Sequence, residues 1–444
     1  MRLSLLQIME VTGGGEVGGT QVGNTFSTFH TDSREVSQGG VFFALRGAEM
    51  DGHRFVGDAI DRGAAAVVVD RRMGIPSGIA EVVVADTWKA LYLLASYVLD
   101  RVQPLVVGIT GSNGKTSTKE MVAAVLGTRF NVLRTTGNLN TETGVPLTIL
   151  KLEPEHTALV VEMGLQRAGD IGRLVALAKP KIGVITNIGI VHMEFFESQT
   201  DLANAKGELV AGLPKDGRAV LNADDSFFPQ LSLLSAAPVS TFGLASGHFR
   251  VEDYGPLPEG GSEFSVLGER VRLSLGGRHQ ALNAAAALAA GDAAGVPVAQ
   301  GAPALSEIAI EHRLEQKRTP DDVLILDDSY NASPESMSAA FEMVRGMRHE
   351  GRLLAVLGHM GELGPLAEPA HEQIGQAAGH VFDAIAVVDT PLGRILARAA
   401  GAELVPDNAA AAAWVRTQAR RGDLVLVKAS HSRRLDEVVA ELVK

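Results

Sequence analysis

The chain has 444 residues, 46% hydrophobic and 21% charged, and 52 acidic against 40 basic side chains give a formal charge of −12. Such a length calls for two or three domains of roughly 100–200 residues each, and the composition argues against long disorder. The acidity disfavours a binder of phosphate backbones, and the absence of cysteine excludes a disulfide scaffold, thiolate zinc and a cysteine nucleophile.

In chain order, Glu10 arrives too early for a secretory segment, and no apolar run reaches about 18 residues, so a soluble cytoplasmic protein is expected. Gly13–Gly15, Gly18 and Gly19 break the opening into turns and short strands. Strands are predicted at Val41–Leu45, Ala65–Val69 and Val82–Val84 and a helix at Asp58–Arg62, a small α/β unit ending near Ala85. Asp86 is placed to cap a helix over Thr87–Leu99, where Leu91, Leu94, Ala95 and Val98 recur at helical spacing. Leu105–Thr110, Leu159–Val161, Gly183–Thr186 and Ala219–Leu221 read as buried parallel strands separated by helices, including Thr116–Leu126. From about Phe242 to Leu275 the pattern alternates as in an antiparallel patch, and an alanine-rich helix follows at Ala281–Ala294. After Arg313, strands at Val323–Leu326, Leu353–Leu357, Ala384–Val388 and Leu424–Val427 alternate with helices near Pro334–Arg345, Ala370–Ala378, Leu392–Ala399, Ala409–Ala419 and Leu435–Val443. That series is Rossmann-like, with Asn408 as a candidate cap. The fold class is α/β in three domains: a small N-terminal domain (1–85), a central P-loop ATPase-type parallel sheet (86–313) and a C-terminal Rossmann-like domain (314–444).

The sharpest motif is Thr110-Gly111-Ser112-Asn113-Gly114-Lys115-Thr116-Ser117, between a strand and a helix. Its glycines let backbone N–H groups approach phosphate oxygens, and the helix N-terminus adds partial positive charge. Lys115 is expected to reach the β and γ phosphates of a nucleotide, and the Thr116 hydroxyl to ligate Mg²⁺. Ile109 occupies the first glycine position of G-x₄-G-K-T, Gly108 stands one residue early, and Gly111 supplies the extra turn.

The string Gly108–Met121 is similar to the ATP loop of the Mur ligases. Likeness continues through Gly137–Thr148, Asn187–His192, Asn222–Asp225, Asp327–Ser336 and Leu357–Gly364, nearly the whole chain. Asp-Ser-Tyr-Asn and Gly-Glu-Leu-Gly resemble most specifically the branch that adds D-alanyl-D-alanine to UDP-N-acetylmuramoyl-tripeptide. Gln280, Thr141 and Lys428-Ala429-Ser430-His431 depart from the family's usual residues.

The resemblance implies an ATP-dependent, ADP-forming amide ligase in peptidoglycan precursor synthesis, with two Mg²⁺ ions. Glu162 ends one strand and His192 follows another, and the resemblance implies that both bind Mg²⁺; taken alone, each reads rather as a surface salt bridge and a hydrogen-bonded loop histidine, and their joint placement with the phosphate loop reverses that. Lys206 matches a lysine carbamylated in several Mur ligases, a fourth metal contact, against an ordinary helix lysine. Lys115, His192, Lys206 and Arg313 are the candidate catalytic residues. Asn283 is implied to contact the nucleotide, while His279, on the same helix face, is open between that role and a cap. Arg313 is suited to grip a phosphate, and Asp328, at a strand end, to accept ribose hydroxyls. Ser33, Arg34, Asp51 and His53 resemble UDP-binding segments, and Tyr330, Asn331 and Lys428 belong to the substrate side. The expected partners are UDP-N-acetylmuramoyl-tripeptide and D-alanyl-D-alanine, with no nucleic acid, no membrane span and a monomeric chain. Two alternatives stand beside this reading: a ligase adding the third amino acid, and a non-catalytic Mur-like nucleotide-binding subunit.

Overall fold

Long runs of valine, isoleucine and leucine bounded by glycine or a capping residue build the sheets of this protein. Its computed structural model describes residues 1–16, 24–47, 50–258 and 260–444; Gly18 and Gly19 lie outside them. Contacts group the chain into two units. One holds residues 1–108, 130–165 and 170–181, and the other 109–129, 166–169 and 182–444.

In the first unit a five-stranded sheet runs in the order Gly15–Glu16, Ala80–Val83, Ala66–Val69, Val41–Phe43, Phe29–His30. Only the Gly15–Glu16 pairing is antiparallel. Val41–Phe43 and Ala66–Val69 are fully buried, which is why they read as continuous apolar runs rather than alternating ones. Helix Val56–Asp61 covers them with Val56 and Ala59. The Asp86 side chain accepts from the Lys89 N–H and starts helix Thr87–Val102, which ends at a left-handed Gln103. Val132–Arg134 and Ala158–Glu162 pair in parallel, and the Leu105 N–H donates to the Thr157 carbonyl.

In the second unit Ile182–Ile185, Arg218–Asn222, Val239–Gly243 and Phe249–Arg250 follow one another in parallel. The alternation expected from Phe242 onward is therefore corrected: Phe242 and Phe249 lie in parallel strands, where half-burial at a sheet edge imitates the antiparallel pattern. The antiparallel patch begins at Glu252, with Glu252–Pro256, Ser262–Val266 and Glu269–Leu273. Helix Arg278–Ala293 follows.

The last sheet has the order Glu315–Arg318, Leu324–Asp327, Leu424–Lys428, Leu353–Leu357, Ala384–Val388, Glu403–Val405. Its inner strands send alternate residues to opposite faces. Leu326, Leu357 and Leu426 meet Met337 and Phe341 on one side, while Ile325, Val356 and Val427 meet Trp414 and Val438 on the other. The charged strand Glu315–Arg318 pairs antiparallel at one edge. Helix Asn408–Gln418 is capped by Asp407, whose side chain accepts from the Ala410 N–H; the expected cap, Asn408, instead donates to the Arg433 and Arg434 carbonyls. No helix among the described residues is long and apolar enough to cross a membrane.

Candidate active site

Strand Leu105–Thr110 feeds the phosphate loop, and helix Lys115–Gly127 leaves it. Two glycines are dictated by geometry. Gly111 has φ +147°, and a Cβ there would lie 1.9 Å from Thr186 Oγ1; Gly114 has φ +79°, and its Cβ would lie 2.4 Å from Asn283 Oδ1. The chain held this way is pinned from the next strand. The Asn113 N–H donates to Asn187 Oδ1 at 3.0 Å, the Ser112 N–H to the Asn187 carbonyl at 2.9 Å, and the Thr186 hydroxyl to the Asn113 carbonyl at 2.6 Å. A preformed loop of this kind needs no reorganisation when an anion arrives.

Lys115 Nζ donates to the Gly111 and Ser112 carbonyls at 2.8 and 3.2 Å. Lys206, on helix Gln199–Ala211, donates to the same Gly111 carbonyl at 3.0 Å and is 1% exposed. Burial first, and Lys115 second, hold its ammonium well below the ordinary lysine range, while Glu362 acts in the opposite sense. The plain reading of Lys206 as a solvated helix lysine does not describe this position.

Asn283 and His279 lie within helix Arg278–Ala293, whose cap position is Gly277, so His279 is not a cap. Asn283 Nδ2 donates to Gln280 Oε1 at 3.2 Å. Burial pushes the His279 imidazole down to about 4, with Asp328 opposing. The Arg313 guanidinium stacks 4.3 Å over the Tyr330 ring. Lys428, 1% exposed, donates to Asp328 Oδ2 at 2.5 Å and to the Asn331 carbonyl at 3.0 Å. Its charge thus fixes Asp328 and the Tyr330-Asn331 loop.

His192 Nδ1 lies 2.6 Å from Glu362 Oε2. The contact has the distance of an ion pair but not the alignment of a hydrogen bond, and Nδ1 is without a hydrogen-bond partner. Burial lowers the His192 pKa, with Glu362 opposing. Ser112 Oγ and Arg313 Nε are likewise buried without partners. The Ser112 hydroxyl, orphaned within the pinned glycine loop, is what a bound polyanion would satisfy, so the loop fits a nucleoside triphosphate.

The chain matches three family descriptions: the Mur ligase family, catalytic domain, over residues 26–95; the Mur ligase middle domain over 109–291; and the Mur ligase, glutamate ligase domain, over 312–431. It is 37% identical to the UDP-N-acetylmuramoyl-tripeptide–D-alanyl-D-alanine ligase of Bacillus subtilis, over 93% of this chain and 92% of that one. The chain belongs to the Mur ligase family. Among solved structures, MurF from Acinetobacter baumannii superposes with a TM-score of 0.90 at 28% identity, covering 100% of this chain and 99% of that one. MurF ligase from Thermotoga maritima, in complex with ADP, gives 0.82 at 32% identity, covering 94% and 96%.

In this Mur ligase Thr116 and Ser117 lie in the first turn of helix Lys115–Gly127, and five further candidates lie in the first unit. Glu162 is 2% exposed at the end of its strand; its Oε1 accepts from Asn140 Nδ2 at 2.8 Å, and its N–H donates to Thr135 Oγ1 at 3.1 Å. Asp32 caps the turn Ser33–Glu35, burying Ser33. Arg34 pairs with Asp32 at 2.6 Å and keeps 81% of its side chain exposed. Asp51 and His53 are committed to the fold. Asp51 accepts from the His53 N–H and lies 2.6 Å from His53 Nδ1, while His53 Nε2 accepts from the Asp70 N–H at 3.0 Å. Arg46 and Arg71 brace the same two carboxylates, and the hydrogen bonds from His53 hold Asp51 far below the usual carboxylate range.

Sequence reasoning gave no role to Thr186, Asn187, Ser333, Glu335 or Glu362. Ser333 Oγ donates to Asn113 Oδ1 at 2.8 Å, and Asn113 Nδ2 reaches Glu335 at 3.4 Å. The available signal was positional: Asn187, Ser333, Glu335 and Glu362 lie inside strings singled out for their likeness to the family, and Thr186 ends the predicted strand that runs into one of them.

Proposed function

We propose that this Mur ligase joins D-alanyl-D-alanine to UDP-N-acetylmuramoyl-tripeptide, consuming ATP and forming ADP and phosphate, in peptidoglycan precursor synthesis. The observation that carries this reading is the 37% identity to a ligase of that name over 93% of the chain, supported by the pinned phosphate loop. The terminal carboxylate of the tripeptide attacks the γ-phosphorus, ADP departs, and an acyl phosphate forms. The dipeptide amine then attacks the acyl carbon, loses its proton, and phosphate leaves.

The protein's part is placement and charge neutralisation. Gly111, Ser112, Asn113, Gly114 and Ser117 wrap the phosphates, Lys115 meets the transferring group, and Arg313 supports it. Asn283 and Asp328 hold base and ribose. Mg²⁺, when bound, spreads the negative charge of the transferring phosphoryl group; Thr116, Glu162 and His192 offer hard oxygen and imidazole donors suited to it. Lys206, disposed to be neutral, is a candidate for carbamylation by CO₂, which would turn an amine into an anionic oxygen ligand. Ser33 and Arg34 address the UDP diphosphate, Asp51 and His53 shape that pocket, and Tyr330, Asn331 and Lys428 shape the dipeptide side. Residues 1–85, 86–313 and 314–444 are the corresponding UDP, ATP and ligase domains.

ADP formation is measured with UDP-N-acetylmuramoyl-tripeptide plus either D-alanyl-D-alanine or single amino acids, and with each omitted. Turnover that requires the tripeptide and the dipeptide supports the reading. Turnover with a single amino acid and the UDP-dipeptide would transfer the chain to the branch that adds the third residue.

A further inference from the structure

His192 and Glu362 meet through two strained backbones. His192 has φ +72° and Glu362 has φ +60°, left-handed values that side-chain-bearing residues seldom adopt. Their turns press together: Gly364 has φ +52°, and a Cβ on it would lie 2.9 Å from Glu194 Cα. Such outliers persist where surroundings over-determine them, often at functional sites. The product of the strain is one contact, His192 Nδ1 to Glu362 Oε2 at 2.6 Å, in which Nδ1 still has no aligned hydrogen-bond partner. Two oxygen or nitrogen ligands on neighbouring vertices of an octahedral Mg²⁺ stand roughly 3 Å apart, from bonds of about 2.1 Å. The pair is a few tenths of an ångström from that spacing. An ordinary histidine–glutamate hydrogen bond would instead aim the N–H along the contact.

We propose that Glu362 is a further ligand of the cation held at His192, supplied from the C-terminal ligase domain. This rests on the functional reading above. Glu194 is a second acid beside the pair, and Lys115, whose charge also acts on Glu362, is the group a bound cation has to compete with. The middle-domain match ends at residue 291 and the ligase-domain match begins at 312. The ligand pair is therefore complete only when those two segments are docked, which makes cation occupancy a sensor of docking.

The test titrates Mn²⁺ alone into the full chain, read by electron paramagnetic resonance, for the parent, Glu362→Gln and Glu362→Asp. Glu362→Gln keeps the shape and removes the charge. It is expected to weaken one Mn²⁺ site about tenfold or more with its melting temperature unchanged, and Glu362→Asp to fall between. A Glu362→Gln chain that binds Mn²⁺ as the parent does, or a parent with no Mn²⁺ site at millimolar concentration, overturns the proposal. ADP formation is assayed on the same samples. A parent without substrate-dependent turnover, but with the Mn²⁺ effect intact, would sink the functional reading and leave the ligand pair standing.

Discussion

Lys206 donates to the very carbonyl that Lys115 uses, the Gly111 oxygen, at 3.0 Å against 2.8 Å. Two ammonium groups converge on one acceptor, and the less exposed of them sits where solvent cannot stabilise its charge. A Gly111 carbonyl that must serve both is better matched when Lys206 is neutral.

The first prediction concerns the other lysine. Lys115→Ala removes the positive charge that the transferring phosphoryl group would meet, so ADP formation should fall about 10²-fold or more. Steady-state rates at saturating substrates check it. Near-normal turnover would take the phosphate loop out of the mechanism.

The second concerns pH. Lys206 has its folded pKa depressed below the 10.5 of an unfolded chain. Its contribution to stability is therefore fully present above about pH 10.5 and is lost as pH falls towards the folded value. Lys206→Met removes that loss. Relative to the parent, the variant should gain thermal stability as pH is lowered from 10.5 towards 7, while turnover drops. Parallel melting-temperature profiles for the two chains would contradict a lysine whose pKa burial depresses.

Third, Gly114→Ala should weaken ADP binding at least tenfold, about 1.4 kcal/mol. A left-handed residue gains a Cβ that strikes Asn283, so the loop must shift away from its phosphate-binding geometry. Titration with a fluorescent ADP analogue reads the effect, and unchanged affinity would show the loop to be more pliant than its contacts imply.

Much of this architecture was legible from residues alone. Strands Leu353–Leu357 and Ala384–Val388 fall where apolar runs put them, because a strand covered on both faces has no polar alternation to blur its limits. Glu315–Arg318 was illegible for the opposite reason: its Glu-Gln-Lys-Arg sequence has no apolar face, and it is a strand only because Leu324–Asp327 offers it an open edge. In the site, the glycines and Lys115 announce themselves by spacing. Asp51 and His53 do not reveal whether they hold a ligand or each other, since both uses need the same polar atoms. Glu362 stood inside a singled-out string but without a role, because its partner sits on a turn 170 residues away in sequence, at His192.

Fourth, Arg34→Ala should raise the KM for UDP-N-acetylmuramoyl-tripeptide roughly tenfold, the worth of a charge-assisted contact, and leave that for D-alanyl-D-alanine nearly unchanged. Its exposed pairing with Asp32 contributes little to folding, so stability should hold. Initial-rate kinetics with each substrate varied decide it, and the reverse pattern would overturn the assignment of UDP to the N-terminal domain.

Helix Arg278–Ala293 carries a consequence of its own. Ala284–Ala287 are wholly enclosed, and a Cβ on Gly291 would come within 2.4 Å of Val125 Cγ1 on the helix that leaves the phosphate loop. Small side chains let two backbones approach this closely, and neither helix can be thickened without pushing the other. The same helix carries Asn283, whose amide touches the space beside Gly114. The interval between Asn283 and the phosphate loop is therefore gauged by methyl groups packed inside the helix pair. A single added methylene in the alanine row would be read out as a misfit nucleotide, so a neutral-looking change in the interior becomes a change in substrate affinity.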